Sequence, residues 1–203
     1  RLGTGSQNDL NTLTKVFDEN ATAIASGSAG TLFTTKNGEL WGMGRLLLDG
    51  FATDIQTPSK ILDANLTDFD IGLHGNHYIV KSDGSLWVWG NNTYGQLGNG
   101  TSESNNTISL IVDANVTHVS AGHEHAVFLK ADGSLWSMGR NNNSQLGLGT
   151  GGGLSMIPQS AVQANVESVS THYLHTLFVK TDGSLWGFGH NLHKALSSGG
   201  GFS

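Results

Sequence analysis

The chain has 203 residues, 29 of them glycine and none cysteine, and it carries a formal net charge of -6. The length fits one domain with a real core. The absence of any basic run excludes a nucleic-acid surface, since phosphate binding needs clustered Lys and Arg. No apolar stretch approaches the ~20 residues that cross a bilayer, so membrane contact is not predicted.

One sequence unit of about 50 residues recurs four times in chain order, as expected for a repeat architecture. Its most constant part reads "NGELW" at Asn37–Trp41, then "DGSLW" at Asp83–Trp87, Asp132–Trp136 and Asp182–Trp186. Every part of the unit recurs, so residues 1–203 are predicted to form a single domain. The repeats are bounded approximately at 1–49, 50–95, 96–144 and 145–194, and the tail 195–203 overlaps the next repeat.

Each unit predicts short β-strands. "VTHVSAG" (Val116–Gly122) alternates apolar and polar residues, as a half-buried strand does. "AVFLK" (Ala126–Lys130) is rich in β-branched and aromatic residues, and the following "ADG" is typical of a hairpin turn. "SLW" (Ser134–Trp136) then returns as the next strand. Fifty residues with three or four such strands cannot bury their own apolar face, so neighbouring units must stack.

Two residues of the constant segment are predicted to form a core layer between units. The tryptophans occupy one equivalent position and the preceding leucines another, and we expect both to be buried there rather than to line an aromatic ligand box. The residues are Trp41, Trp87, Trp136 and Trp186, with Leu40, Leu86, Leu135 and Leu185.

These motifs resemble a known family. "KSDGSLWVWGNNTYGQLGNG" (Lys81–Gly100) and "VTHVSAGHEHAVFL" (Val116–Leu129) are similar to the two halves of the regulator of chromosome condensation repeat. The resemblance implies an all-β fold, a β-propeller built from four repeats with about one four-stranded blade each. The chain departs from the family pattern at Gly30, which stands where His125 and His175 stand, and at His172, which replaces the glycine found at Gly122.

The number of blades in the assembled ring stays open. "RLGTG" (Arg1–Gly5) and "ALSSG" (Ala195–Gly199) both look like the "QLGNG" loop at Gln96–Gly100, so the two ends fall in the same element of the repeat. Founding members of the family close seven blades. Four repeats are compatible with a closed four-bladed ring, with a piece of a longer chain, or with a homodimer that completes an eight-bladed ring. A piece or a homodimer is favoured.

Histidine is the residue type that suggests a site. Equivalent positions of a propeller lie at one level around its axis, so the histidines of one loop-to-strand segment are predicted to form an arc there. They are His74, His77, His123, His125, His172 and His175. The spacings suit metal ligation, but a structural role in fixing the loops is favoured, and neither metal nor cofactor is predicted. Glu124 is the acidic residue closest to them in sequence.

Catalytic signals are weak. "SGSAG" (Ser26–Gly30) lacks the first glycine of a nucleophile elbow and lies in an ordinary part of the repeat. The glycine-rich "GTGGGLS" (Gly149–Ser155) has no phosphate-binding lysine. Founding members of the family act in nucleotide exchange on a small GTPase and dock on nucleosomes, but this acidic chain has no basic tail, so those activities are not carried over.

The sequence therefore favours a non-enzymatic scaffold that binds a protein or glycan partner through variable loops on a constant framework. The alternatives are a hydrolase that uses rim His and Ser residues or a His-bound metal, and a purely structural segment of a larger surface protein. The acidic, cysteine-free composition, rich in Asn, Gly and Ser, favours a bacterial extracellular or cell-surface protein.

Overall fold

The computed structural model describes residues 2–18, 20–50, 54–63, 65–191 and 196. They form four antiparallel sheets, and no helix that could span a membrane occurs among them. The first sheet contains β1 (Ala21–Ser26), β2 (Gly30–Thr35), β3 (Glu39–Gly44) and β4 (Ile55–Asp63). The second contains β5 (Leu66–Ile71), β6 (Asn76–Lys81), β7 (Leu86–Gly90) and β8 (Asn105–Val112). The third contains β9 (Val116–Ala121), β10 (His125–Lys130), β11 (Leu135–Arg140) and β12 (Leu154–Val162). The fourth contains β13 (Val166–His172), β14 (His175–Lys180) and β15 (Leu185–Gly189).

Each sheet is one blade of a β-propeller, with its strands in chain order, so the predicted all-β fold is confirmed. The inner strand of each blade packs on the inner strand of the next: β1 on β5, β5 on β9, and β9 on β13. The blades are offset from the repeat bounds predicted above, because those bounds were set within the glycine-rich loops. The first blade, for example, covers 21–63, whereas the first predicted repeat covers 1–49.

The core lies between blades, as the stacking argument requires. One cluster joins Leu40 of the first blade to Trp89 of the second, and another joins Leu86 of the second blade to Phe128 of the third. A third cluster joins Leu135 of the third blade to Phe178 of the fourth. Each of these clusters thus buries apolar residues of one blade against its neighbour, which is why one repeat alone would not be stable.

Polar side chains bind the inner strands of adjacent blades to one another. Asp70 Oδ2 accepts a hydrogen bond from the Ala121 backbone N–H at 2.8 Å, and Asp68 Oδ2 accepts one from Val119 at 2.7 Å. At the next junction Ser120 Oγ accepts from the Thr171 N–H at 3.0 Å. These bonds satisfy backbone donors that no strand pairing reaches. Burial raises the pKa of the Asp70 carboxyl.

The DGSLW segment forms a turn closed by its own side chains. In the third copy Asp132 Oδ1 accepts from the N–H and hydroxyl of Ser134 at 2.9 and 2.6 Å. Trp136 Nε1 then donates to Ser134 Oγ at 2.9 Å, and Lys130 Nζ lies 4.4 Å from the indole ring centroid. The serine hydroxyl therefore links the turn to the tryptophan ring.

The tryptophans do not form the buried layer that the sequence predicted. Trp41, Trp87 and Trp136 are half-buried and Trp186 is exposed. The leucines before them supply the buried layer instead in the first three blades. In the second and third blades a lysine covers one face of the ring and a serine accepts from its N–H, so Trp87 and Trp136 are anchored at the edge of the core. The Trp41 N–H donates to Glu39 Oε2 instead.

Replacing Ser134 by alanine should lower the free energy of unfolding by about 1–2 kcal/mol, because the Trp136 N–H loses its acceptor in a half-buried position. The matched control is Ser184→Ala, since Ser184 makes the same contact to the exposed Trp186, where water can replace it. Urea unfolding of both variants measures the two costs. Equal costs would contradict a role for burial at this contact.

The described blades do not close into a ring. Leu185 is 67% exposed, whereas Leu40, Leu86 and Leu135, which occupy the same repeat position, are all 0% exposed. At the other end Ile24 of β1 is 70% exposed, while its equivalent Val119 is 2% exposed. Each end of the described array thus presents apolar surface that an interior blade buries against a neighbour.

Candidate functional site

Four loops between the first and second strands of the blades lie side by side at one end of the inner strands. We call 27–29, 72–75, 122–124 and 173–174 the rim loops. Direct hydrogen bonds connect adjacent rim loops. Ser28 Oγ donates to the Leu73 carbonyl at 2.5 Å, the Leu73 N–H donates to the Gly122 carbonyl at 3.4 Å, and the His123 N–H donates to the Tyr173 carbonyl at 2.9 Å. The loops therefore form one continuous surface that crosses three blade junctions.

Counted between the paired residues that close each loop, the second rim loop is one residue longer than the others. The Gly72 N–H donates to the Asn76 carbonyl, whereas the Gly122 N–H donates to the carbonyl of His125, so three residues are enclosed in one loop and two in the other. This extra residue places His74 against the next blade, where its ring centroid lies 3.8 Å from that of His123.

Aromatic and charged side chains extend this contact into a larger group. His123 lies 4.7 Å from the Tyr173 ring on one side, and His74 lies 6.4 Å from Tyr94 on the other, centroid to centroid. The Arg140 guanidinium lies 5.0 Å from the centre of the Tyr94 ring. We call the group the rim cluster, and it consists of His74, Tyr94, His123, Glu124, Arg140 and Tyr173.

Glu124 is the anchor of the rim cluster. Its side chain is only 6% exposed, and its Oε2 atom lies 2.5 Å from Arg140 Nη1. The Glu124 carboxylate raises the pKa of Arg140. Its other oxygen, Oε1, faces the two imidazoles, 3.6 Å from His123 Nδ1 and 3.9 Å from His74 Nδ1. Burial, and then the neighbouring His74, lower the pKa of His123.

The structure brings together only two of the six predicted histidines. His77 and His125 are fully buried, and burial lowers their pKa values to about 4 and about 3 respectively. His77 stacks on Trp89, while His125 Nε2 lies 3.2 Å from Thr176 Oγ1 of the next blade. Both side chains therefore lie in the core.

The fourth-blade histidines lie apart from the rim cluster. His172 is exposed and pairs across the hairpin with His175, which is half-buried. The position equivalent to His123 in this blade is held by Tyr173 instead. Among the described residues no hydrogen bond joins Ser28 to an imidazole, because its hydroxyl donates to the Leu73 carbonyl. The last-loop residue His193 lies outside the described residues.

Sequence reasoning missed several residues of this end of the molecule. Tyr94, Arg140 and Tyr173 come from three different hairpins, and no local motif marks them. A second missed contact pairs His118 Nδ1 with Asp68 Oδ2 at 2.5 Å, which raises the pKa of His118. The only available signal was the variation of the rim-loop sequences between repeats.

Family models match this chain from residue 83 to residue 179. The family model described as regulator of chromosome condensation (RCC1) repeat matches residues 83–129 and 132–179, and a second model of the same description matches 116–145. These matches cover the second blade from its turn onwards, the third blade, and much of the fourth.

Solved structures agree with the family models. Human WBSCR16 is 25% identical with a TM-score of 0.75, over 87% of this chain and 50% of that one. Yeast RCC1 (Prp20), in its structure bound to Kap60, is 20% identical with a TM-score of 0.74, over 90% of this chain and 46% of that one. A second structure, of Prp20p from Saccharomyces cerevisiae, is 19% identical with a TM-score of 0.74, over 89% of this chain and 47% of that one. The chain thus spans about half the length of the structures it matches.

Proposed function

The chain belongs to the regulator of chromosome condensation (RCC1) repeat family, and from that membership we propose that it is a non-enzymatic scaffold that binds a protein partner through its rim cluster. The family fold is a framework on which proteins are bound. The observation that carries the proposal is the concentration of Tyr, His and Arg side chains in the rim cluster. Tyrosine and arginine are the residues most enriched at the centres of protein interfaces.

The rim cluster has the accessibility and rigidity that recognition needs. Tyr173 is 50% exposed, and the His74 side chain is 37% exposed. The loops that carry them are fixed by backbone hydrogen bonds to neighbouring blades and by the buried Glu124. Little side-chain freedom would then be lost on binding, which favours affinity.

Relatives bind proteins, although their particular partners do not transfer to this chain. Yeast Prp20 has been crystallised bound to Kap60, and binding properties to Gsp1p and histones are attributed to Prp20p. At 20% and 19% identity these structures support the fold alone. A net charge of -6 also speaks against a nucleic-acid partner. The protein partner therefore has to be found by experiment.

Quantitative affinity capture with matched variants tests the proposal. The rim variant carries Tyr173→Ser and Tyr94→Ser, and the control variant carries Leu110→Ser and Ile157→Ser on the exposed outer strands β8 and β12. We expect the wild type and the control variant to capture a protein from the host lysate. The rim variant should capture at least about tenfold less of that protein, since interface aromatics each contribute about 2 kcal/mol or more.

A partner lost by the control and kept by the rim variant would contradict the proposal. Both variants must retain the wild-type unfolding transition. Recovery of bound glycans on an array in place of any protein, with the same dependence on Tyr94 and Tyr173, would assign the surface to the glycan class instead.

A further inference from the structure

We propose that His74, His123 and Glu124 form a binding site for a divalent transition-metal ion of the Zn²⁺ class, which bridges the second and third blades. The three residues each offer one ligand atom, and these atoms all lie within 4.8 Å of one another. The proposal goes beyond partner binding and does not depend on it, because the three side chains belong to the chain itself.

The donor set matches Zn²⁺ chemistry. Two imidazole nitrogens and one carboxylate oxygen are the ligands of a common three-residue zinc site, whose fourth position is left for water or another ligand. With metal–ligand bonds of about 2.0–2.2 Å, tetrahedral ligands lie about 3.3–3.6 Å apart. Here Glu124 Oε1 lies 3.6 Å from His123 Nδ1 and 3.9 Å from His74 Nδ1. These two pairs need to contract by at most a few tenths of an ångström. The two imidazole ligand atoms lie within 4.8 Å of each other and must approach to the same tetrahedral separation.

The two oxygens of the Glu124 carboxylate have different partners. Arg140 Nη1 contacts Oε2, while both imidazoles face Oε1. A second partner that holds and orients a ligating carboxylate is a regular feature of metal sites. Because the Glu124 side chain is only 6% exposed, its orientation is fixed before a metal arrives. The Arg140 charge opposes the cation, but it acts on the oxygen that does not ligate.

The site is particular to one blade junction. His74 depends on the extra residue of the second rim loop, and at the next junction Tyr173 and Leu174 stand where His123 and Glu124 stand in the third blade. Neither of them offers a ligand to zinc at neutral pH. Each blade junction thus has a rim loop, but among the described residues a metal-ligand set occurs at one junction, which is difficult to explain by a need common to all blades.

The fourth ligand position would open to solvent. The side chains of His74 and His123 are 37% and 21% exposed, so their outer edges are accessible while Glu124 lies beneath them. A bound ion would therefore fix the relative positions of the second and third blades and leave one site for water or an incoming carboxylate or imidazole.

Titration of the tag-free chain with Zn²⁺ by isothermal calorimetry, together with Co²⁺ as a spectroscopic probe, tests the proposal. We expect one saturable site per chain and the visible absorption of tetrahedral Co²⁺. His74→Asn and His123→Tyr should each weaken binding at least about tenfold, the smallest effect of a lost metal-site partner. Tyrosine is chosen for His123 because Tyr173 occupies the equivalent position. His172→Asn, on an exposed histidine of the neighbouring loop, should leave binding unchanged.

Imidazole NMR of the unsubstituted chain gives a readout that does not depend on folding of the variants. Zn²⁺ should shift the His74 and His123 resonances and leave those of His172 unchanged. Absence of saturable binding, binding unaffected by both substitutions, or binding lost with His172→Asn would each overturn the proposal. These results stand apart from the capture experiment, in which the rim variant leaves all three ligands in place.

Discussion

Leu135→Ala is expected to lower the free energy of unfolding by about 3 kcal/mol, whereas Leu185→Ala should change it by less than about 1 kcal/mol. The two leucines hold the same position in successive repeats. Leu135 is 0% exposed because the fourth blade covers it, and Leu185 is 67% exposed. The substitution removes the same atoms at both sites, so the difference isolates the contribution of the neighbouring blade.

Urea unfolding followed by tryptophan fluorescence measures both costs, with light scattering to give the mass of the folded species. A cost at Leu185 equal to that at Leu135 would mean that the exposed face of the fourth blade is covered in solution. A mass of two chains in the same experiment would then favour the homodimer that completes a ring. That association remains a prediction.

Acid should destabilise the protein through its buried histidines. Burial lowers the pKa of His77 from 6.5 to about 4 and that of His125 to about 3. Below pH 6.5 the unfolded chain binds protons at these positions and the folded chain does not. Their contribution to the free energy of unfolding is therefore complete above pH 6.5. It decreases as the pH is lowered, by about 2 kcal/mol per histidine between pH 6.5 and 5.

His77→Thr tests this effect, because Thr31 and Thr176 occupy the equivalent position in the first and fourth blades. Between pH 6.5 and 5 the free energy of unfolding of the variant should fall by about 2 kcal/mol less than that of the wild type. Urea unfolding curves of the two proteins at both pH values measure the difference. Other titrating groups, such as His118, are common to both proteins and cancel. The matched control is His172→Thr, which makes the same substitution at an exposed histidine. A variant with the full wild-type slope would show that His77 is not held neutral.

The fold was predictable because the repeat contains its own local signals. "AVFLK", "ADG" and "SLW" predict a hairpin, and β10 and β11 are that hairpin, with Leu129 paired to Leu135. The repeat period alone required stacking. Which of the two constant apolar residues would be buried was harder to predict, since Trp136 and Leu135 alternate across the strand and only the neighbouring blade decides between them.

The site was predictable only in part, because it depends on one inserted residue and on contacts between blades. The sequence placed His77 and His125 in one predicted arc of histidines. In the strand pairing Asn76 lies opposite Gly90, and His125 lies opposite Gly139. Asn76 is therefore the equivalent of His125, and the insertion shifts His77 one position further along the strand, into the core. Arg140 and Tyr94 reach the rim cluster from separate hairpins, which no reading of a single repeat reveals. The bacterial extracellular location likewise stays a prediction.

Hydrogen exchange of the complex with the captured partner locates the recognition surface. If the rim cluster is the recognition surface, partner binding should slow exchange in the rim loops at 72–75, 122–124 and 173–174. Exchange in the outer strands β4, β8 and β12 should not change. Protection confined to those outer strands, with unchanged rim loops, would contradict the account and place recognition on the circumference of the propeller.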